Sequence, residues 1–112
     1  MAQDQPTKET VLASLASAAD AAHQAYMAAL AANPAGDLKE LYKKEMAAAA
    51  AWADAEKKAL VNDPAVTTAQ ANLDSATKEI KDGLATIEDI STWMTLLDKL
   101  VNLATTVGKF FV

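Results

Sequence analysis

The chain of 112 residues contains no cysteine and no arginine, and its only histidine is His23. Without cysteine there are no disulfides, no thiolate nucleophiles and no cysteine-ligated zinc sites. Without arginine there is no bidentate guanidinium to recognise phosphate or guanine, and the formal net charge is -5. We therefore expect the chain to bind no nucleic acid.

The few residues that could carry chemistry do not form a complete site. Asp20 precedes His23 by three residues, a spacing found in di-iron helical bundles, but such sites require a second histidine. Glu45 lies among the regularly spaced apolar residues that form one face of its predicted helix. It is either a buried proton donor or a side chain at the edge of that face, paired with a lysine. We favour a solvated histidine and a paired glutamate. We expect no enzyme, no catalytic residue, no metal and no cofactor.

Glycine and proline, with three residues each, are scarce enough to mark the breaks in a helical chain. Thr7 predicts the cap of a first helix, and the Asn33–Gly36 segment predicts a turn. Asp37, with a glutamate three residues later, predicts a capping box at the start of the second helix. Asp63, followed by a proline, predicts the start of the third helix. The sequence thus predicts an all-α fold in a single domain, 1–112, with helices at about 7–33, 37–62 and 64–111.

Alanine supplies 27 residues, of which 26 precede Thr86, so the first two helices are rich in alanine. The short turn between them predicts an antiparallel hairpin. Small side chains let two helix axes approach to about 8 Å. The alanine-rich hairpin is therefore the first expected element of the fold.

The third helix has two interpretations. Apolar residues recur in alternating steps of three and four over residues 66–111, which predicts one long helix, straight or kinked at Gly83. The alternative is a break at 83–86, where Gly83 ends one helix and Thr86 caps the next, giving a four-helix bundle. The unbroken phase of the repeat favours the long helix.

The apolar side chains are densest near the C-terminus, and this segment is the main indication of function. One helix over 64–111 would span about 70 Å, so a hairpin of about 39 Å would leave its apolar end uncovered. We therefore expect a non-enzymatic helical interaction or self-assembly protein, forming a homo-oligomer or binding a protein partner through its C-terminal helix. In the four-helix alternative, the same segment is the central helix of a monomer. The expected interaction surface comprises Trp93, Met94, Leu97, Leu100, Val101, Ala104, Val107, Phe110 and Phe111.

Membrane-surface binding through residues 90–112 is the alternative function. Two lysines against three acidic residues in and beside this segment do not favour anionic lipid, and its charges make it a weak transmembrane candidate. The polar N-terminus, Met1–Glu9, lacks the basic-then-apolar order of a cleavable signal peptide. The localisation expected from the sequence stays open between the cytoplasm and export without such a signal.

Overall fold

The first three helices begin near the predicted caps and turns. A computed structural model describes residues 5–112, so the predicted domain 1–112 and the Met1–Glu9 segment extend beyond the described residues at their first four positions. The Thr7 hydroxyl accepts a hydrogen bond from the Thr10 N–H (3.3 Å) and caps the first helix as predicted. The all-helical fold is confirmed. Its elements are α1 (Lys8–Ala32), α2 (Lys39–Glu56), α3 (Ala65–Gly83) and α4 (Ile90–Gly108).

The start of α2 shows only part of the predicted capping box. The Asp37 carboxylate accepts a hydrogen bond from the N–H of Lys39 (3.1 Å). Glu40 instead pairs with Lys43, whose Nζ lies 3.2 Å from its carboxylate. The helix starts at Lys39 with Leu38 as its N-cap residue, and Leu38 makes no side-chain cap hydrogen bond.

The predicted ends at 62 and 111 are wrong, because the segment 59–61 pairs with the end of the chain. The N–H of Ala59 donates to the Val112 carbonyl and the N–H of Val112 donates back, both at 2.9 Å. The N–H of Val61 donates to the Phe110 carbonyl at 2.8 Å. This extended antiparallel contact satisfies backbone groups that would otherwise need helical partners.

The favoured long third helix is also wrong, because the chain breaks between α3 and α4. The N–H groups of Thr86 and Ile87 both donate to the Gly83 carbonyl, at 3.0 and 2.9 Å, and end α3. Asp89, not Thr86, caps the next helix, and its carboxylate accepts the Thr92 N–H at 2.9 Å. The break lets α4 fold back and bury apolar area that a long helix would leave in water. The four-helix alternative is the observed one.

The order of the helices around the bundle is α1, α2, α4, α3. Both α1 and α4 contact all the other helices, whereas α2 and α3 make no close contact within residues 5–112. The connection 57–64 therefore crosses one end of the bundle diagonally. The amide of Gln70 on α3 donates to the Ser14 hydroxyl on α1 (3.0 Å), and Lys44 on α2 lies 2.5 Å from Asp98 on α4. Hence α1 lies parallel to α3, and α2 lies parallel to α4.

Alanine makes up most of the buried face of α1. Five of its buried residues are alanines. Because these side chains are short, the axis of α1 can lie close to the axes of α2, α3 and α4. On α3 the predicted seam is confirmed at every position. Its buried members are Val66, Ala69, Leu73, Ala76, Ile80 and Gly83.

We predict that the Asp89 cap makes stability depend on pH in the acid range. Hydrogen bonds from the side chains of Thr92 and Ser91, followed by the Thr92 N–H, lower the pKa of Asp89 from 3.8 to about 2. Because this pKa is lowered on folding, the contribution of the carboxylate is complete above pH 4 and is lost as the pH falls through about 2. Asn also caps helices but does not titrate. Thermal unfolding from pH 5 to pH 2 should therefore show wild type losing stability faster than Asp89→Asn. Parallel profiles would contradict the assignment.

Candidate interaction surface

The structure places most of the surface predicted from sequence inside the bundle. Three of its nine members, Met94, Val101 and Phe110, are half-buried and pack at the edge of the core. The six buried members are Trp93, Leu97, Leu100, Ala104, Val107 and Phe111. In this fold these six side chains are covered by the chain itself.

The position of α4 explains why it is so apolar. It touches α1, α2 and α3, so apolar side chains are required around most of its circumference. Its buried line runs through Trp93, Leu100 and Val107, one residue before the predicted seam positions 94, 101 and 108. The predicted seam is correct at Leu97, Ala104 and Phe111 and one position too late at the other three places.

Trp93 and Trp52 both pack against the core. Trp93 is fully buried, and its Cη2 atom faces Gly83, where an added Cβ would lie 3.8 Å from it. Trp52 is half-buried beside the core on α2. Both aromatic rings therefore act as packing groups in the described fold.

His23 is exposed, as predicted, but it is paired with an acid from the neighbouring helix. Its Nδ1 lies 2.5 Å from Oε1 of Glu45, and the two side chains are 58% and 15% exposed. Asp20, the residue that sequence spacing associated with His23, instead accepts a hydrogen bond from Gln24 (2.6 Å). Glu45 is paired with a histidine rather than with the lysine that the sequence suggested. The imidazole–carboxylate pair therefore joins α1 to α2 on the outside of the hairpin.

Two general features of the described residues bear on binding. Within residues 5–112, no three or more histidine, aspartate or glutamate side chains gather closely enough to hold a metal ion. None of the four described helices combines the length and apolarity needed to cross a bilayer.

The exposed large apolar side chains lie mainly on the α1–α2 hairpin. Met27, Tyr42 and Met46 are each about half exposed, at 48%, 50% and 51%. Tyr42 also meets Tyr26 across the two helices, with ring centroids 5.7 Å apart and an interplanar angle of 60°. Such an edge-to-face pair is a favourable aromatic arrangement and fixes the orientation of the Tyr42 ring.

A cavity of about 470 Å³ lies beside the tyrosine pair at the turn of the hairpin. Its lining is mainly apolar and comprises Tyr26, Leu30, Gly36, Asp37, Leu38, Lys39 and Tyr42. A second cavity, of about 460 Å³, lies between the C-terminal half of α2 and the end of α4. The hairpin surface therefore offers both protruding apolar side chains and apolar depressions.

Comparison with models of known protein families, with curated proteins and with solved structures finds no match to this chain.

Sequence reasoning missed Tyr42 and Met46 as surface residues. They lie four residues apart, on the stripe next to the predicted α2 seam of Leu38 and Leu41. Helical spacing could have shown that they do not share the seam with Leu41. Their exposure became evident only when the neighbours of α2 were known.

We predict that introducing a carboxylate on α4 lowers the free energy of unfolding more at a buried position than at a half-buried one. Leu97→Asp places an unpaired carboxylate in the core, because Leu97 is fully buried, and should cost about 3 kcal/mol or more. Val101→Asp is the matched control, since Val101 is half-buried and its carboxylate can reach water. Urea unfolding followed by circular dichroism measures both. If Leu97→Asp leaves the helical content and stability unchanged and only reduces the mass in solution, α4 is an assembly surface instead.

Proposed function

We propose that the chain is a non-enzymatic helical interaction protein that associates with a second copy of itself through the outer surface of α2. The proposal keeps the function expected from the sequence but moves the surface from α4 to α2. The observation that carries it is the exposure of Tyr42 and Met46 on one stripe of α2, with exposed alanines further along that stripe.

The chemistry of the stripe favours protein contact. Tyrosine and methionine are enriched at interfaces because they cover a large area, and the thioether adapts to irregular surfaces. The Tyr26–Tyr42 contact restricts the ring before binding, which reduces the entropy lost on association.

The stripe is complementary to itself. Its large residues, Tyr42 and Met46, precede its small exposed residues, Ala50 and Ala53. In an antiparallel pair of α2 helices related by a two-fold axis, the large half of each copy lies over the small half of the other. The complementary shape of the stripe therefore favours a second copy as the partner.

A cavity at the C-terminal half of α2 borders the stripe at Ala50 and extends from there toward the end of α4. Its floor is formed by small residues, including Ala47, Ala51 and Gly108, and Lys58 and Lys109 lie around it. Its volume of about 460 Å³ is sufficient for a methionine or tyrosine side chain.

The non-enzymatic part of the proposal rests on the residue inventory. The chain has one histidine and no cysteine, and His23 is engaged with Glu45 on the surface. General acid–base or nucleophilic catalysis would require a nucleophile or second titrating group next to this pair. The sequence contains no motif that indicates such a nucleophile or catalytic group.

We predict that light scattering over a concentration series will show wild type rising from 11.8 kDa toward twice that mass. Met46→Lys should weaken the dimer by about tenfold or more, because the two-fold axis introduces the charge twice. Ala71→Lys is the matched control, since Ala71 is exposed on α3, away from the proposed surface.

Two outcomes would contradict the proposal. One is a wild type that stays monomeric at every concentration, and the other is an equal effect of Met46→Lys and Ala71→Lys. Adding anionic and neutral liposomes to the same samples tests the alternative function. Co-sedimentation of a monomeric wild type with liposomes would support membrane-surface binding through residues 90–112 in place of self-association.

A further inference from the structure

The geometry points to the α3–α4 connection as a hinge through which two copies of this chain exchange α4. When the connection straightens, α3 and α4 form one helix, and α4 occupies the α4 position of a second copy. This contact is separate from the α2 surface proposed above and does not depend on it.

The α3–α4 connection has a sequence that can form a helix. Residues 84–89 contain neither glycine nor proline, whereas the turn at 33–38 contains both and the connection 57–64 contains a proline. Leu84 already has helical dihedral angles (φ -57°, ψ -32°), and the N–H of Ile87 donates to the Gly83 carbonyl four residues earlier. Residues 84–86 form turns that follow α3, and the one local signal that opposes a continuous helix is the Asp89 cap of α4.

Contacts with the α1–α2 turn hold the connection in its bent form. The side-chain amide of Asn33 donates to the Glu88 carbonyl at 2.6 Å. The Ile90 side chain packs so closely against Gly36 that an added Cβ would lie 2.9 Å from its Cδ1. Apart from the Asp89 cap, the bend thus depends on tertiary contacts, which is the condition under which a helix-forming segment can straighten.

Ile87 and Ile90 give the straight form an additional apolar contact. They continue the α3 series of Ile80 and Gly83 in the same steps of three and four, so a continuous helix would place them on one face. In the bent form both are only half-buried. In an exchanged pair this face would lie at the two-fold axis, where the two hinges meet.

The occupant must be a second copy because of length and fit. A helix over 65–108 is about 66 Å long, whereas the described molecule is 52 Å along its longest axis. The fully buried side chains of α4, including Trp93 and Leu97, would then lie beyond the bundle they came from. The α1–α2–α3 framework of another copy has a site of matching shape for them, since it is built for the same helix.

The test uses glycine variants that differ only in their surroundings. In Gly83→Ala the new Cβ overlaps Cδ1 of Ile87 and lies 3.2 Å from its Cγ1, so the Ile87 side chain must shift in the bent form, whereas positions four residues apart are ordinary neighbours in a continuous helix. Gly108→Ala is the matched control, because its Cβ would meet no atom within 4 Å. In light scattering, Gly83→Ala should raise the association constant by about tenfold or more over both wild type and Gly108→Ala, since each dimer contains two hinges.

Cross-linking shows whether the dimer is an exchanged one. In the monomer, Lys44 and Asp98 meet within one molecule at 2.5 Å, so in the exchanged dimer they meet between molecules. Gly83→Ala chains carrying Lys44→Cys are mixed with tagged Gly83→Ala chains carrying Asp98→Cys. After incubation just below the unfolding temperature, a short bis-maleimide should join the two kinds of chain, and the absence of native cysteine keeps the reaction specific.

A dimer that fails to cross-link overturns exchange while leaving the α2 proposal intact. Adding Met46→Lys separates the two further, since an exchanged dimer should persist in its presence. Asn33→Ala, which removes the hydrogen bond to Glu88 without adding volume, decides the matter if Gly83→Ala does not fold. If every folded hinge variant, Asn33→Ala included, stays as monomeric as Gly108→Ala, the inference is wrong.

Discussion

The fold depends on the burial of α4 by the three other helices. This helix carries the largest buried side chain of the chain, Trp93, together with Leu97 and Leu100, all of them fully inaccessible to water. The hydrophobic gain from covering such side chains is the dominant favourable contribution to folding. It is sufficient reason for the chain to bend after Gly83, although the residues that follow could continue the helix.

The other helices are shaped by the need to surround α4. The alanines of α1 keep that helix thin enough to touch α2, α3 and α4 at once. Polar pairs at the rim, such as Gln70 with Ser14 and Lys44 with Asp98, then set the register between neighbouring helices. The Lys44–Asp98 ion pair is partly exposed and contributes little stability, so its role is positional.

The all-α class, the hairpin and the α3 seam could be predicted from the sequence, because each depends on local residue spacing and on helix caps. It favoured the wrong form of the α3–α4 connection because Gly83 fits a helix interior almost as well as a helix end. The decisive contacts, from Asn33 to Glu88 and from Gly36 to Ile90, join positions more than fifty residues apart. The proposed surface was missed for the same reason, since its exposure depends on which side of α2 faces α4. Local patterns carry no information on such long-range choices.

Amide hydrogen exchange of the dilute monomer tests most directly the claim that α4 is the centre of one cooperative bundle. Amides in the middle of a helix that packs on three others exchange only when the whole domain unfolds. Amides near Leu97 and Leu100 should be among the slowest in the chain, and as slow as those near Ala22 in α1. Exchange near Leu97 that is orders of magnitude faster than near Ala22 would mean that a separately stable hairpin carries a detached α4, and would contradict the account.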